Sequence, residues 1–232
     1  MSQPASISVV IPVYDEAGRI AEQLQHLRQT PGLHEVVVVD GGSRDDTRQR
    51  AEAVDGVRVI SAPRGRAAQM NAGAEVATGE VLLFLHADVR LPHDVSRRVR
   101  QTLSDPATIA GAFLTHTVDE GRRRWLAPLL RLADVRSRYT RFPYGDQALF
   151  VRARYFWRAG AYPSQPLMED VELCRRLRRE GRIERVPACV RVSGRRFTAR
   201  PLYYTVAVNL IPLAYWCGVS PERLARFYRP CR

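Results

Sequence analysis

Acidic residues recur in this sequence where apolar runs end. Asp15 and Glu16 follow the run Ile7 to Val13, Asp40 follows Glu35 to Val39, and Asp88 follows Val81 to Leu85, with His86 between them. A carboxylate at the end of a buried strand can hold a divalent cation against phosphate oxygens, or it can cap the next turn. The residues alone leave both open. Glu169 and Asp170 open a stretch in which Val171, Cys174 and Leu177 recur at helical spacing. There Asp170 is either a cap, ionised by the helix dipole, or a general base that takes a proton from an attacking hydroxyl. Arg195 and Arg196 follow another apolar run, and paired guanidinium groups either clamp a diphosphate through forked hydrogen bonds or form a solvated basic turn.

These groups can act together only if strands and helices bring them to one edge. The run from Val81 to Leu85 shows no polar alternation, as in a strand buried on both faces of a parallel sheet. Before it, the periodicities predict a strand over 7–13, a helix carrying Ile20, Leu24 and Leu27, and a strand over 35–39. A helix capped by Ser43 and running to Val54, a strand over 57–61 and a helix over 67–77 containing Gln69 and Asn71 follow. Strand, helix, strand at this spacing is a right-handed βαβ unit, so an α/β doubly wound, mostly parallel sheet is expected, with Asp15, Asp40 and Asp88 on one edge. Beyond it the pattern predicts a helix over 95–103, a short strand over 110–113, a basic segment over 122–132, a strand over 148–151 and another over 183–192. The apolar stretch from Leu202 to Val219 contains Asn209 and Pro212, which disfavour a simple membrane span. It reads as a helix packed on the domain or lying on a membrane surface.

Composition narrows the class. A hydrophobic content of 45% over 232 residues excludes a disordered chain and is enough for one substantial core. The net charge of +12 would suit nucleic acid, but all 36 basic residues are arginine, which looks like a compositional habit. Residues 1–88 hold 8 arginines against 12 acids, whereas 89–232 hold 28 against 12. That asymmetry fits a cation-binding part followed by one that faces phosphates or an anionic membrane surface. Cys174, Cys189, Cys217 and Cys231 lack metal-ligand spacing, and the N-terminus lacks a signal-peptide pattern, so a cytoplasmic protein with reduced thiols is expected. Neither GxGxxG nor a P-loop is present.

In this order the motifs resemble those of the family 2 glycosyltransferases, inverting nucleotide-sugar enzymes of the GT-A fold. Residues 11–16, Ile-Pro-Val-Tyr-Asp-Glu, resemble the family's PVYNE segment, and residues 40–47 its DDGSxDxT segment. Gln69-Met70-Asn71-Ala72-Gly73 is similar to ARNxG, His86-Ala87-Asp88 to the DxD motif, and Glu169-Asp170 to the ED pair. Within the family, the VDGGSxD, HAD and SxRR signatures resemble a short bacterial subgroup. Two positions depart from the pattern: Gly41 stands in place of the second Asp, which puts a UDP donor in doubt, and His86 in place of the first Asp of DxD.

The resemblance implies one GT-A domain over 1–197, with a nucleotide-sugar part over 1–92 and an acceptor and catalytic part over 93–197. A helical, apolar and basic tail spans 198–232. It also implies that Asp170, beside Glu169, is the general base and that Asp88, with His86, holds Mn²⁺ or Mg²⁺. Pro12, Tyr14, Asp15, Glu16, Asp40, Gly41, Gly42, Arg66, Asn71, His86, Ala87, Arg195 and Arg196 would bind the nucleotide-diphosphate sugar. The acceptor is expected to be lipid-linked or otherwise amphipathic, with a small soluble acceptor nearly as compatible, and no nucleic-acid partner is expected. Peripheral contact with the inner face of the cell membrane accords with the apolar tail. A sugar-phosphate nucleotidyltransferase would want lysines near the first strand, and this chain has none. A non-catalytic basic module would bind in a salt-dependent, metal-independent way.

Overall fold

The computed structural model describes residues 5–119 and 127–228. Residues 122–126 of the basic segment, the Arg196 side chain and Cys231 lie outside the described residues. The N-terminal part alternates strand and helix: β1 (Ile7–Val13), α1 (Ile20–Arg28), β2 (Glu35–Asp40), α2 (Thr47–Glu52), β3 (Val57–Ser61), α3 (Arg66–Val76) and β4 (Val81–Phe84). There follow β5 (Val89–Arg90), α4 (Val95–Thr102), β6 (Thr108–Val118), α5 (Ala127–Tyr139), β7 (Phe150–Arg152), α6 (Ala153–Arg158), α7 (Glu169–Leu177) and β8 (Arg182–Ser193). Three helices close the described chain: α8 (Arg195–Ala199), α9 (Pro201–Trp216) and α10 (Pro221–Phe227).

Among the described residues the strands form one sheet in the order β3-β2-β1-β4-β7-β6-β8-β5. β3, β2, β1 and β4 are mutually parallel, as the βαβ reading requires. β7 is antiparallel to β4 and β6, and β8 is parallel to β6 but antiparallel to β5. Because side chains alternate across a strand, each strand feeds two cores. Val9, Ile11, Val38 and Leu83 pack under α1 and α4, while Val10, Val37, Leu82 and Phe84 pack against Met70 of α3, Phe156 of α6 and Leu173 of α7.

Three expectations change. The apolar run ending at Asp88 stops being a strand after Phe84, and Val89 to Arg90 forms a separate strand at the opposite edge of the sheet, paired with β8. Ser43 does not cap a helix. The α2 helix begins at Thr47, and the Ser43 hydroxyl instead donates to Asp40 at 2.5 Å and accepts the Asp15 amide at 3.0 Å. The strand expected over 110–113 runs from Thr108 to Val118, because the Thr115 and Thr117 amides are also met by Ser137 and Asp134 of α5. α7 begins at Glu169, where the helical spacing of Val171, Cys174 and Leu177 places it, and is preceded by Met168 in a left-handed conformation at φ 65°.

Gln69 bridges β1 and β2 at their carboxyl ends. Its amide nitrogen donates to the carbonyls of Val13 and Val39 at 2.8 Å each, and the residue is buried. Gln69→Leu keeps the bulk and removes both donors, so chemical denaturation should show a loss of about 1–3 kcal/mol. An unchanged midpoint would contradict the bridging role.

Candidate active site

The carboxyl ends of β1 and β2 are tied together by short polar residues. Asp15 Oδ1 accepts the Arg44 amide at 2.8 Å, the Glu16 amide donates to Thr47 Oγ1 at 2.7 Å, and the Ala17 amide donates to Asp45 at 3.1 Å. Asp40 is buried, and its carboxylate accepts from the Gly42 and Ser43 amides and from the Ser43 hydroxyl. A Cβ at position 41 would lie 3.0 Å from the Gln69 amide group, so an aspartate there would press on the side chain that bridges β1 and β2. Tyr14 stacks under the Arg64 guanidinium at 4.0 Å.

Asp88 follows β4, and its carboxylate lies 3.6 Å from Arg195, whose guanidinium grips Glu16 through two bonds of 2.9 and 2.5 Å. A cation therefore already sits against Asp88, between the ends of β1 and β4. Asn71 uses its amide on the backbone of Tyr162, donating to the carbonyl at 2.9 Å and accepting the amide at 3.0 Å. The structure gives it a role in joining α3 to the segment after α6. Ala87 is buried and Pro12 half-buried near the end of β1.

A cavity of about 130 Å³ collects the remaining groups. Arg66, His86, Asp88, Asp146, Glu169 and Asp170 form its polar part, and Phe197, Tyr204, Ala207, Val208, Ile211 and Pro212 its apolar wall. Glu169 and Asp170 are 1% and 6% exposed, so this acidic pair is taken out of water at the start of α7. Asp170 Oδ2 accepts the Gly145 amide at 3.0 Å, whereas no donor among the described residues reaches Asp170 Oδ1 or Glu169 Oε1. Arg66 comes no nearer to Glu169 than 3.9 Å. Burial first, and the Glu169 charge second, hold the Asp170 carboxyl well above the usual carboxylate range, against the opposing pull of Arg66. The expectation that the helix dipole dominates and keeps Asp170 readily ionised is thus corrected: desolvation outweighs it. Burial, reinforced by Asp170, likewise pushes the Tyr162 hydroxyl up, so it stays neutral.

Gly145 is the contact point of the two candidate motifs. A Cβ there would lie 2.6 Å from His86 Nε2 and 2.7 Å from Asp170 Oδ2, so only glycine lets the imidazole and the carboxylate face one another across the turn Gly145–Gln147. The sequence reading passed over Gly145 and the α9 wall, since neither carries a chemical group that marks it. For a divalent cation, Asp88 and His86 are the nearest donors, and no three His, Cys, Asp or Glu side chains converge into a cage among the described residues. Such a donor set fits an ion that is shared with substrate phosphates.

The family described as Glycosyl transferase family 2 matches residues 8–161, and the chain belongs to that family. An undecaprenyl-phosphate 4-deoxy-4-formamido-L-arabinose transferase of Pseudomonas syringae pv. syringae is 30% identical over 63% of this chain and 46% of its own length. The transferase of the same name from Pseudomonas savastanoi pv. phaseolicola is 32% identical over the same shares. The chain thus spans about half the length of these curated relatives. Among solved structures, a mannosyltransferase from Pyrobaculum calidifontis in complex with GDP-Man and Mn²⁺ superimposes with a TM-score of 0.67 at 21% identity, over 97% of this chain and 68% of that one. S. aureus TarS in complex with UDP-GlcNAc does so with 0.64 at 20%, over 81% of this chain and 58% of that one. The fold is that of the GT-A glycosyltransferases, as the motif order implied.

The raised Asp170 pKa has a consequence for stability. The folded state holds the Asp170 proton more tightly than the unfolded chain does, so this site costs stability as pH rises through the raised value. Asp170→Asn removes the charge and with it the cost. Its Tm should match the wild type's in acid and exceed it by a margin that widens toward pH 8; a margin independent of pH would contradict this.

Proposed function

We propose that this family member is a metal-dependent, inverting glycosyltransferase that moves a sugar from a nucleotide diphosphate to an acceptor hydroxyl. The observation that carries the reading is the buried Glu169–Asp170 pair beside Asp88 and His86 in one cavity. Asp170, fixed through Oδ2 by the Gly145 amide, accepts the proton of the acceptor hydroxyl. As that oxygen bonds to the anomeric carbon, the bond from this carbon to the diphosphate oxygen breaks on the opposite face. The product is the inverted glycoside, and the nucleotide diphosphate leaves. General-base assistance of this kind is worth about 10²–10⁴-fold. Its raised pKa makes the ionised Asp170 a stronger proton acceptor than an ordinary carboxylate.

Mn²⁺ or Mg²⁺ held by Asp88, with His86 beside it, would neutralise the leaving diphosphate. Arg195 would supply positive charge on the Glu16 side of Asp88. The loops after β1 and β2, with Tyr14, Asp15, Glu16 and Gly42, would shape the nucleotide subsite in residues 1–92, and residues 93–197 the acceptor side. Because Gln69 occupies the space beside Gly41, base recognition would rest on other groups, and the nucleotide need not be UDP.

The apolar wall supplied by Phe197 and α9 favours an amphipathic acceptor. The relatives' names specify a lipid phosphate. A phosphate acceptor brings no proton that needs removing, so a general base at Asp170 favours a lipid-linked or similar hydroxyl. The described cysteines are free thiols, which suits a reducing compartment.

Thermal stabilisation by a panel of nucleotide-diphosphate sugars, with and without Mn²⁺, tests the donor site, since a ligand of the native state alone raises apparent stability. Metal-dependent stabilisation by one nucleotide is expected, lost in Asp88→Ala and retained in Asp170→Asn. With that donor, Asp170→Asn should lose at least about 10²-fold in transfer. Undiminished transfer by Asp170→Asn would remove the base and point to a phosphate acceptor. Stabilisation that ignores the metal would remove Asp88 from its role.

A further inference from the structure

α9 is largely apolar around its circumference, interrupted by the polar side chains of Thr205 and Asn209, a composition that in a soluble domain belongs to a mostly buried helix. Only one side of it is covered. Tyr204, Ala207, Val208 and Ile211 turn inward to line the acidic cavity, and Tyr204 packs with Leu130 and Phe197 beneath. On the other side Leu202, Val206, Leu210 and Leu213 follow one another at intervals of four and three residues, so they form a single stripe. They are 74%, 52%, 57% and 62% exposed, and Phe227, next to the stripe through the Tyr203 hydroxyl on its carbonyl, is 72% exposed. Asn209 is exposed on the same face, its amide turned onto the Thr205 carbonyl at 2.7 Å, and the large apolar side chains around it mark an interaction surface.

The charges around the stripe identify what covers it. Arg200 precedes α9, Arg223 and Arg226 stand on α10, and Arg131 and Arg138 stand on α5, which packs against α9; all five are exposed. Glu222 is the one exposed acid on α9 and α10. An apolar stripe inside a rim of guanidinium groups matches the surface of an anionic bilayer, where acyl chains lie beneath phosphate headgroups. Guanidinium forks suit such phosphates. Spanning is ruled out on length: 16 residues of α9 reach about 24 Å, short of the roughly 30 Å hydrocarbon core, and no described helix is long and apolar enough to cross.

We propose that α9 and α10 dock this chain on an anionic lipid surface, with Leu202, Val206, Leu210, Leu213 and Phe227 entering the interfacial layer. The inner side of the same helix walls the cavity that holds Asp170, so docking places the acidic site one helix diameter from the lipid. An amphipathic acceptor would then pass along α9 rather than through water. The docking surface goes beyond the donor chemistry and does not depend on it.

The test is co-sedimentation of the full chain with vesicles of phosphatidylcholine alone or mixed equally with phosphatidylglycerol. Wild type should pellet with the mixed vesicles, weakly with phosphatidylcholine, and less as salt is raised. Leu202→Glu/Leu210→Glu/Leu213→Glu, all at exposed positions, should lower the vesicle affinity by on the order of tenfold or more while its Tm stays unchanged. Failure of wild type to pellet, equal pelleting with both vesicles, or pelleting by the triple variant at the wild-type level would overturn the proposal. So would light scattering that finds a wild-type dimer and a monomeric variant, since a second copy would then cover the stripe. Metal-dependent stabilisation by nucleotide sugars, measured on the same samples, reports the donor site separately.

Discussion

Taking two neighbouring carboxylates out of water is expensive, and the start of α7 does so with Glu169 and Asp170. Helix amides, one bond from Gly145 and a guanidinium 3.9 Å from Glu169 do not offset that cost, so Asp170 holds its proton more tightly than an ordinary acid. Much of the C-terminal part follows from this constraint. Met168 adopts a left-handed conformation to start α7, Gly145 stays without a side chain so that its amide can reach Asp170, and Gln147 locks that turn to the Phe113 carbonyl at 2.9 Å. Strain and unpaired polar atoms collected in one place are the usual marks of a working site.

The N-terminal part solves a different problem. Parallel strands end together, and their terminal carboxylates would repel one another if left free. Here each is held by a donor: Asp40 by its own loop, Asp15 by the Arg44 amide, and Glu16 by an ion pair with the distant Arg195. Asp88 lies 3.6 Å from the same Arg195 guanidinium. An edge prepared in this way is rigid in its backbone and retains one carboxylate beside the cavity, consistent with a cation that arrives together with its phosphate ligand.

Much of this was legible in the sequence, because it rests on local patterns. The βαβ alternation gave the parallel half of the sheet, and motif order gave the family. What was not legible depends on long-range partners. Thr115 and Thr117 look like loop residues until Ser137 and Asp134 of α5 meet their amides. Val89 continues the β4 pattern in the sequence but pairs with Val192 of β8 at the other edge. Ser43 has the composition of a helix cap, yet the nearby β1 loop offers it the Asp15 amide. Asn71 sits in a recognisable motif, but Tyr162, far along the chain, takes both of its amide atoms. The wall of the cavity was hidden for the opposite reason: α9 was legible as an apolar helix, while which of its faces met the site was not.

The central claim is that Glu169 and Asp170 form one buried acidic pair facing the cavity, in which the Asp170 carboxyl is held well above the usual carboxylate range. Carbon-13 NMR of labelled aspartate follows the Asp170 carboxyl directly, without any substrate. The account predicts a titration midpoint above the ordinary carboxylate range, moving down in Glu169→Gln because removal of the neighbouring charge eases ionisation. A midpoint within the ordinary range, unmoved by Glu169→Gln, would contradict it.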